Sequence, residues 1–325
     1  MSNKIKIAFF WTWEFSANIL ETLINNFNED IEINLIVSQP DKPVWRKKIL
    51  EKTKTKIIAE ENNIKILQPI KLKNNIEFFK QLEWFDFIVV VAYWKIVPLE
   101  VLESPRNWCI NIHWSLLPLY RWASPIQESI KSWDKETWLT IMYMSEGMDE
   151  WDILESKKVI IDKLDKTIDI FNKFQDIGPK LLVDTLKGIL DWNIKWKKQD
   201  DSKATYCSKI NKTDWEINFL KEAWVEIYNK FKAYSPWPWI YSFYNNKKIN
   251  FENIELENID LSDDSEFNIW EVVELYDEHN PKNKRIWIIS SGNIIILKQI
   301  KLEWKKSMDI MSFINWNKDF LDYKF

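Results

Sequence analysis

Glycine is nearly absent from this chain, which limits the tight turns that its backbone can form. The 325 residues include 4 Gly but 21 Trp. Glycine makes up about 7% of ordinary proteins and fills turn positions at which φ is positive. Several tryptophans stand beside turn-forming residues or in polar connections, namely Trp122, Trp133, Trp270 and Trp316. At such positions a chain normally carries glycine.

Replacing about 20 of the tryptophans by glycine would give the chain an ordinary glycine content. We therefore hypothesise that the gene comes from an organism that reads the UGA codon as glycine. A translation table that assigns UGA to tryptophan then produced the printed sequence. The abundance of Lys, Asn and Ile fits an AT-rich genome, in which UGA is a favoured codon. The alternative is a protein that is truly rich in tryptophan. Overpacking about ten core sites at about 1–3 kcal/mol each would cancel a whole stability of about 5–15 kcal/mol.

The remaining composition indicates a globular protein with two domains. The chain is 46% hydrophobic and 29% charged, with a net charge of −4 at pH 7. This charge excludes nonspecific electrostatic binding of nucleic acid by the whole protein surface but allows a local basic patch. The sequence has neither an apolar run that could span a membrane nor a signal-peptide pattern at its start. Two cysteines, Cys109 and Cys207, provide no disulfide framework, so we expect a cytoplasmic protein.

Short apolar runs alternate with helical patterns in the first part of the chain. The predicted strands are residues 4–10, 31–38, 85–92, 109–113 and a pair within 138–161. The run at 85–92 is typical of a strand buried on both faces, and 167–190 predicts a long helix. The alternation predicts an α/β fold, a Rossmann-like doubly wound domain over residues 1–190. Its ligand is expected at the carboxyl ends of the strands.

The composition changes after residue 190. Residues 191–206 are polar and are predicted to form a linker. Residues 207–325 contain one helix near 220–233 and several short strand candidates. These candidates are 216–219, 240–244, 247–258, 270–276, 285–290 and 294–302. This pattern predicts a small OB-like β-barrel as the second domain.

A polar pair ends the predicted strand at 109–113. Asn111 and His113 are two residues apart, so both side chains point to the same face, into the crevice beyond the strand. A packed, hydrogen-bonded histidine is the ordinary alternative for His113. A carboxylate-rich turn at 145–154 offers acidic partners, and spacing alone does not tell which one faces the histidine. These partners are Glu146, Asp149, Glu150 and Asp152.

A basic cluster lies in a proline-flanked loop that follows the second predicted strand. It consists of Arg46, Lys47 and Lys48, and Lys52, Lys54 and Lys56 follow. A run of charge commonly marks a solvated helix start, but a loop at a strand's carboxyl end equally favours contact with RNA phosphates. No Cys/His cluster has the spacing of a metal site. Cys109 is interpreted as strand packing and His279 as a solvated loop residue.

Six segments carry a resemblance to a known family. FDFIVVVAYWKIVP, CINIHWSLLPLYRWASPIQ and TIMYMSEGMDEWDIL are similar to the signature blocks of the folate-dependent formyltransferases. VSQPDKPVWRKK, ILQPIKLK and SPWPWIYSF resemble the branch that formylates initiator methionyl-tRNA. The similarity runs along nearly the whole chain, including the C-terminal barrel. The clear departures are tryptophans where the family has glycine, at positions 11, 94, 108, 122, 138 and 151. Trp237 matches a family tryptophan, and Trp84 is left undecided.

The resemblance implies transfer of a formyl group from 10-formyltetrahydrofolate, a co-substrate, to the α-amino group of methionyl-initiator-tRNA. It implies that Asn111, His113 and Asp149 are catalytic. It also implies that Ser115, Leu116, Leu117 and Pro118 line the folate site, and that the loop with Arg46, Lys47 and Lys48 contacts the tRNA. The C-terminal barrel would also bind tRNA, and we expect a monomer without a metal ion. The alternatives are a formyltransferase acting on an amino sugar, a non-catalytic RNA-binding module and a product that does not fold.

Overall fold

The computed structural model of the chain describes residues 4–11, 17–44, 49–93, 95–257, 269–277, 280–290 and 293–325. The chain divides into two compact units. The first comprises Met1–Pro125, Glu136–Ile160 and Ile170–Ser208, and the second comprises Ile126–Lys135, Ile161–Asp169 and Lys209–Phe325. The sequence-based division placed the boundary at a linker, 191–206. In the structure this segment groups with the first unit, and two short segments that precede it, 126–135 and 161–169, group with the second.

The first 208 residues contain six helices and eleven strands within the described ranges. In chain order they are β1 (Ile5–Trp11), α1 (Ala17–Asn26), β2 (Ile31–Val37), β3 (Lys42–Val44), β4 (Ile49–Glu51), α2 (Lys54–Glu61), β5 (Lys65–Leu67), α3 (Ile76–Lys80), β6 (Phe87–Val91), α4 (Leu99–Leu102), β7 (Cys109–His113), β8 (Arg121–Trp122), α5 (Pro125–Lys131), β9 (Glu136–Tyr143), β10 (Ile153–Ile160), α6 (Thr167–Leu190) and β11 (Tyr206–Cys207). A short 3₁₀ turn follows α6 at Asp201–Lys203.

A seven-stranded sheet forms the centre of the first unit. Its order is β10-β9-β7-β6-β1-β2-β5, in which β9 and β10 are antiparallel and the other strands run parallel. All five side chains of β6 are buried, because neighbouring strands and the layers on both faces exclude water. The expected Rossmann-like α/β class is therefore confirmed, and the run at 85–92 is an inner strand as predicted.

The long helix α6 has the bounds that the sequence predicted, 167–190. Its apolar side packs on the sheet, where Ile170, Phe174 and Leu182 are buried. Gly178 permits a close approach to β9, because a Cβ atom at this position would lie 3.3 Å from Leu139 Cδ2. Of the helices in the described ranges, none is long and apolar enough to cross a membrane.

The second unit has an antiparallel sheet beside short helices. Its later elements are α7 (Trp224–Ala233), β12 (Ile240–Tyr244), β13 (Lys247–Glu257), β14 (Val272–Asp277), β15 (Asn280–Ser290), β16 (Asn293–Leu302), β17 (Met308–Asp309) and α8 (Ile310–Trp316), with a 3₁₀ turn at Lys318–Phe320. The strand order is β12-β13-β16-β15-β14, and β17 pairs with β16. The predicted strand at 216–219 is reduced to one bridge, from Glu216 to Tyr241. A C-terminal antiparallel sheet domain is thus confirmed, while closure into a barrel stays a prediction.

Seven tryptophans within the described ranges adopt the left-handed backbone conformation. They are Trp108, Trp122, Trp133, Trp192, Trp239, Trp270 and Trp304, with φ between 58° and 88°. This conformation costs a side-chain-bearing residue about 1–2 kcal/mol, and for a bulky side chain it is an outlier. Three of the four positions named from their turn-like surroundings, 122, 133 and 270, are in this group. The fourth, Trp316, is instead the last residue of α8.

Candidate active site

Strand β7 carries two polar side chains at its end. It lies between β6 and β9, and Asn111 pairs with Met142 while His113 pairs with Thr140. The remaining residues of β7 are apolar and buried, whereas Asn111 is half-buried and the His113 side chain is 6% exposed. The alternation of the strand therefore presents Asn111 and His113 on one face, as their spacing predicts.

Asp149 meets both side chains from the turn between β9 and β10. Its Oδ1 accepts a hydrogen bond from Asn111 Nδ2 at 3.3 Å, and its Oδ2 lies 3.6 Å from His113 Nδ1. Asp149 adopts φ of 56°, which directs the side chain back over β7. Asp tolerates this conformation better than most residues, and such local strain is common at functional sites. Of the four acidic candidates in this turn, Asp149 is the one that the structure places against His113.

The second ring nitrogen of His113 also faces an oxygen. Nε2 lies 3.1 Å from the Tyr120 carbonyl oxygen, which can only accept, so Nε2 carries a hydrogen in this arrangement. Because Nδ1 faces the Asp149 carboxylate, both ring nitrogens are directed at acceptors.

Backbone groups complete the surroundings of Asp149. The N–H of Trp122 donates to Asp149 Oδ2 at 3.0 Å, from a residue with φ of 88°. The carboxylate thus receives hydrogen bonds from a side-chain amide and a main-chain amide. Neither the Tyr120 carbonyl nor the N–H of residue 122 was identified from the sequence, since main-chain groups of a loop leave no residue pattern.

The loop that follows β7 is held by its own hydrogen bonds. Ser115 Oγ donates to the Leu119 carbonyl at 2.6 Å, and Thr140 Oγ1 donates to the Ser115 carbonyl at 2.6 Å. Leu119 N–H also donates to the Leu116 carbonyl, which closes a turn around the cis Leu117–Pro118 bond. Ser115 and Leu117 are buried, while Leu116 is 38% exposed. Any ligand at this loop therefore contacts Leu116, Pro118 and the main chain rather than the Ser115 hydroxyl.

Cys109 lies at the start of β7 and is fully buried. Its Sγ donates to the Val101 carbonyl at 3.5 Å, and burial raises the pKa of its thiol above the usual range. The thiol therefore stays protonated, as strand packing requires. Among the described residues, His, Cys, Asp and Glu side chains form no group of three or more that could hold a metal ion.

The basic cluster 46–48 lies outside the described residues, as does His279. The strands on either side of the cluster, β3 and β4, pair with each other in antiparallel fashion. Just before β3, the Asp41 carboxylate accepts hydrogen bonds from Lys56 Nζ at 2.7 Å and from Gln68 Nε2 at 2.8 Å. These two contacts hold the pKa of Asp41 below its ordinary value. They fix the start of the segment that leads into the basic cluster.

Comparison with protein families gives the class of this fold and site. The family model described as formyl transferase matches residues 5–186, and the model of the formyl transferase C-terminal domain matches residues 209–318. Solved structures share the fold. HypX from Aquifex aeolicus, in complex with tetrahydrofolic acid, is 12% identical with a TM-score of 0.66, over 99% of this chain and 48% of HypX. An N-formyltransferase from Helicobacter canadensis is 20% identical with a TM-score of 0.63, over 90% of this chain and 98% of its own. The protein is an enzyme of the formyl transferase class.

Curated relatives narrow this class. The methionyl-tRNA formyltransferase of Caldicellulosiruptor saccharolyticus is 39% identical over 95% of this chain and 96% of its own length. Those of Clostridium acetobutylicum and Mesoplasma florum are 35% and 36% identical, over 96% and 78% of this chain and 97% and 80% of their own lengths. The chain belongs to the methionyl-tRNA formyltransferase family.

Proposed function

We propose that this chain transfers the formyl group of 10-formyltetrahydrofolate to the α-amino group of methionyl-initiator-tRNA, for translation initiation. The amine nitrogen forms a bond to the formyl carbon, and the bond from that carbon to the folate nitrogen breaks. A proton leaves the amine and one is supplied to the departing folate nitrogen, so the reaction needs no oxidant. The observation that carries the proposal is the cluster of Asn111, His113 and Asp149 at the end of β7, in a chain that matches its relatives over almost its whole length.

Asn111 and His113 are proposed to stabilise the formyl oxygen while it carries negative charge. The Asn111 amide has two hydrogens, of which one is directed at Asp149, so the other is left for the substrate. The His113 ring directs one N–H toward Asp149 over a long distance of 3.6 Å, a weak contact that a substrate oxygen can replace. In other enzymes, removal of one such donor raises the free energy of the transition state by about 2.7–4 kcal/mol.

Asp149 is proposed to orient the imidazole ring and to balance its positive charge. Its position between Asn111 Nδ2 and His113 Nδ1 serves both functions, because one carboxylate accepts a hydrogen bond from Asn111 and lies beside the His113 ring. Proton removal from the amine requires a base within hydrogen-bond reach, a role open to this carboxylate or to water. No covalent intermediate with the enzyme is needed.

The substrate contacts are proposed on the same basis. The exposed Leu116 side chain is proposed to provide an apolar contact for the folate ring, and the main chain of Ser115–Pro118 its hydrogen-bonding groups. Both lie next to the catalytic side chains. Arg46, Lys47 and Lys48 are proposed to bind phosphates of the tRNA acceptor arm. Support for the second contact comes from Asp41, whose ion pair with Lys56 fixes one end of the basic segment.

We also propose that glycine replaces most of the tryptophans in the natural protein. In the part of the chain that the structure describes, seven of them have positive φ, a conformation that glycine adopts without steric cost. Trp11 is fully buried at the end of β1, and its indole N–H has no hydrogen-bond partner among the described residues, which costs about 1–3 kcal/mol. Trp122 and Trp151 are both more than one-third exposed. Both lie close to Asp149, on the side from which a substrate is proposed to approach the site.

Two chemical observations decide the glycine proposal. Mass spectrometry of the native protein over residues 107–121 should give glycine masses at positions 108 and 114. Sequencing of the gene should show UGA at the glycine-like positions and UGG at 237. Tryptophan masses at 108 and 114 would contradict the proposal.

The function is tested by a formyl-transfer assay with the glycine-restored chain, which carries Gly at each Trp position except 237. Labelled 10-formyltetrahydrofolate is offered with methionyl-initiator-tRNA, and in a parallel reaction with a nucleotide-linked amino sugar. Label in the tRNA, and none in the sugar, is the expected result. Label in the sugar alone, or no transfer by a folded protein, would overturn the assignment in favour of the amino-sugar enzyme or the RNA-binding module.

A further inference from the structure

The segment after α6 belongs to the first unit and lies against the site. Lys197 and Ile153 exchange two main-chain hydrogen bonds, of 2.7 and 2.9 Å. A few residues later, β11 pairs in parallel with β8. The polar segment between these two attachments is therefore fixed at both ends. Gln199, which lies within it, is buried although its neighbours are exposed.

The carboxamide of Gln199 uses its full hydrogen-bonding capacity. Its Nε2 donates to the Asp149 carbonyl at 2.9 Å and to the Trp151 carbonyl at 2.6 Å. Its Oε1 accepts from Arg121 Nε at 3.2 Å and from Arg121 Nη2 at 2.8 Å. An amide offers two hydrogens and two lone pairs, so all four are engaged. Buried groups satisfied in this way hold a single geometry.

Arg121 is in turn held in place. It is 1% exposed, and its guanidinium also donates to Asp201 Oδ1 at 2.7 Å and to the Tyr206 hydroxyl at 3.3 Å. The next residue supplies the main-chain N–H that binds Asp149 Oδ2. One dipeptide, 121–122, therefore fixes Asp149 twice. It contacts the carboxylate directly, and it contacts the carbonyl of Asp149 through Gln199.

This arrangement compensates for the strained backbone of Asp149. A residue with φ of 56° persists only where its surroundings fix it. Gln199 ties the carbonyls on both sides of Glu150, and so fixes the turn that directs the Asp149 carboxylate toward His113. The contacts to residues 122 and 151 are made by main-chain atoms. They are therefore the same whether these positions carry tryptophan or glycine.

We propose that Gln199, oriented by Arg121, is a positioning residue for Asp149 in the formyl-transfer reaction. The proposal rests on the proposed function of the site. It assigns a role in turnover to a segment whose composition is that of a linker. Displacing a catalytic group by about 1 Å can cost about a hundredfold in rate, so the effect on turnover is measurable.

Two substitutions remove, in different ways, the hydrogen bonds that Gln199 donates to the carbonyls of residues 149 and 151. Gln199→Glu keeps the size and both contacts to Arg121 but replaces the two donated hydrogens by oxygen. Gln199→Met removes the donors without adding charge. Both should lower kcat by about tenfold or more and leave KM for the folate and the tRNA within about twofold. Asn25→Asp, at an exposed position of α1, makes the same amide-to-carboxylate change elsewhere and should leave kcat unchanged.

A double-mutant cycle with Asp149→Asn separates positioning from general stability. If Gln199 acts through Asp149, Gln199→Met should reduce kcat by less than about twofold in the Asp149→Asn background. Independent losses that multiply would overturn the proposal, as would a folded Gln199→Met variant with normal kcat.

Amide hydrogen exchange supplies a readout that does not depend on activity. Gln199→Met should accelerate exchange over residues 147–152 and leave β6 unchanged. Unchanged exchange in the turn would overturn the positioning role. If the parent chain transfers no formyl group to tRNA, the proposed function fails, and the exchange result still decides whether Gln199 holds the turn.

Discussion

Asn111 and Asp149, 38 residues apart in the chain, are joined by a 3.3 Å hydrogen bond from the amide to the carboxylate. The bond brings together the end of a buried strand and a turn with left-handed backbone at Asp149. His113 Nδ1 lies 3.6 Å from the other oxygen of the same carboxylate, Oδ2. The site is thus organised around one acidic side chain, and the proposed oxyanion donors lie on either side of it.

Loss of either proposed donor should reduce turnover without unfolding the protein. We expect His113→Ala and Asn111→Ala each to lower kcat by at least about tenfold, because each removes a donor to the developing oxyanion. Steady-state formyl transfer to tRNA measures the effect. Asn34→Ala, an exposed position of β2, is the matched control and should keep normal turnover. A folded His113→Ala variant with turnover close to that of the parent would refute the role of the histidine.

Glycine at the seven left-handed tryptophan positions should stabilise the chain. Each replacement relieves about 1 kcal/mol of backbone strain, partly offset by the greater freedom of glycine in the unfolded chain. The urea midpoint of the sevenfold variant should therefore rise. Trp237→Gly is the control, because position 237 is outside the left-handed group, and it should give no increase. A lower midpoint for the sevenfold variant would show that the tryptophans belong there.

Stability in acid should depend on Asp41. Its hydrogen bonds from Lys56 and Gln68 lower its folded pKa from the ordinary value of 3.8. The stabilisation is therefore complete above that value and is lost as the pH falls through the lowered pKa. Asp41→Asn should be less stable than the parent at neutral pH, and the difference should disappear in acid. Urea unfolding between about pH 2 and pH 7 tests this. Glu60→Gln, which removes an exposed ion pair with Lys52, should show almost no such difference.

Binding of tRNA should become less dependent on salt when the basic cluster is removed. The triple variant Arg46→Ala, Lys47→Ala, Lys48→Ala should bind more weakly. Its plot of log affinity against log salt should be flatter by about 0.7–0.9 for each tRNA phosphate that the variant no longer neutralises. Fluorescence titrations at several ionic strengths measure both effects. Alanine at the three lysines of α6 makes the same change in net charge, and an equal weakening in that variant would argue against a local contact.

The parts of the fold that follow from local physics could be predicted from the sequence. Strand β6 is buried on both faces, so each of its positions must be apolar, and the sequence shows this as an uninterrupted run of apolar residues. The spacing of Asn111 and His113 likewise places them on one face. The choice of Asp149 among four carboxylates depends on the conformation of the turn, in which Asp149 has positive φ, and the residues alone do not specify it.

Long-range contacts set the limit of prediction from sequence. Gln199 lies in a polar segment, and it is buried because Arg121 and two carbonyls of a distant turn satisfy its amide. Composition describes the average surroundings of such a segment and not a single buried side chain. The grouping of residues 126–135 with the C-terminal sheet unit is set by contacts of the same kind.

The left-handed tryptophans also bear on how genes are decoded. A codon table assigns a side chain, whereas the sign of φ is set by the neighbours and by the path of the chain. At seven of the described positions a tryptophan has the positive φ that glycine favours, so the proposed reassignment can be compared with the backbone conformation position by position. Dihedral angles could therefore be used to detect codon reassignment in genomes from which no protein has been purified.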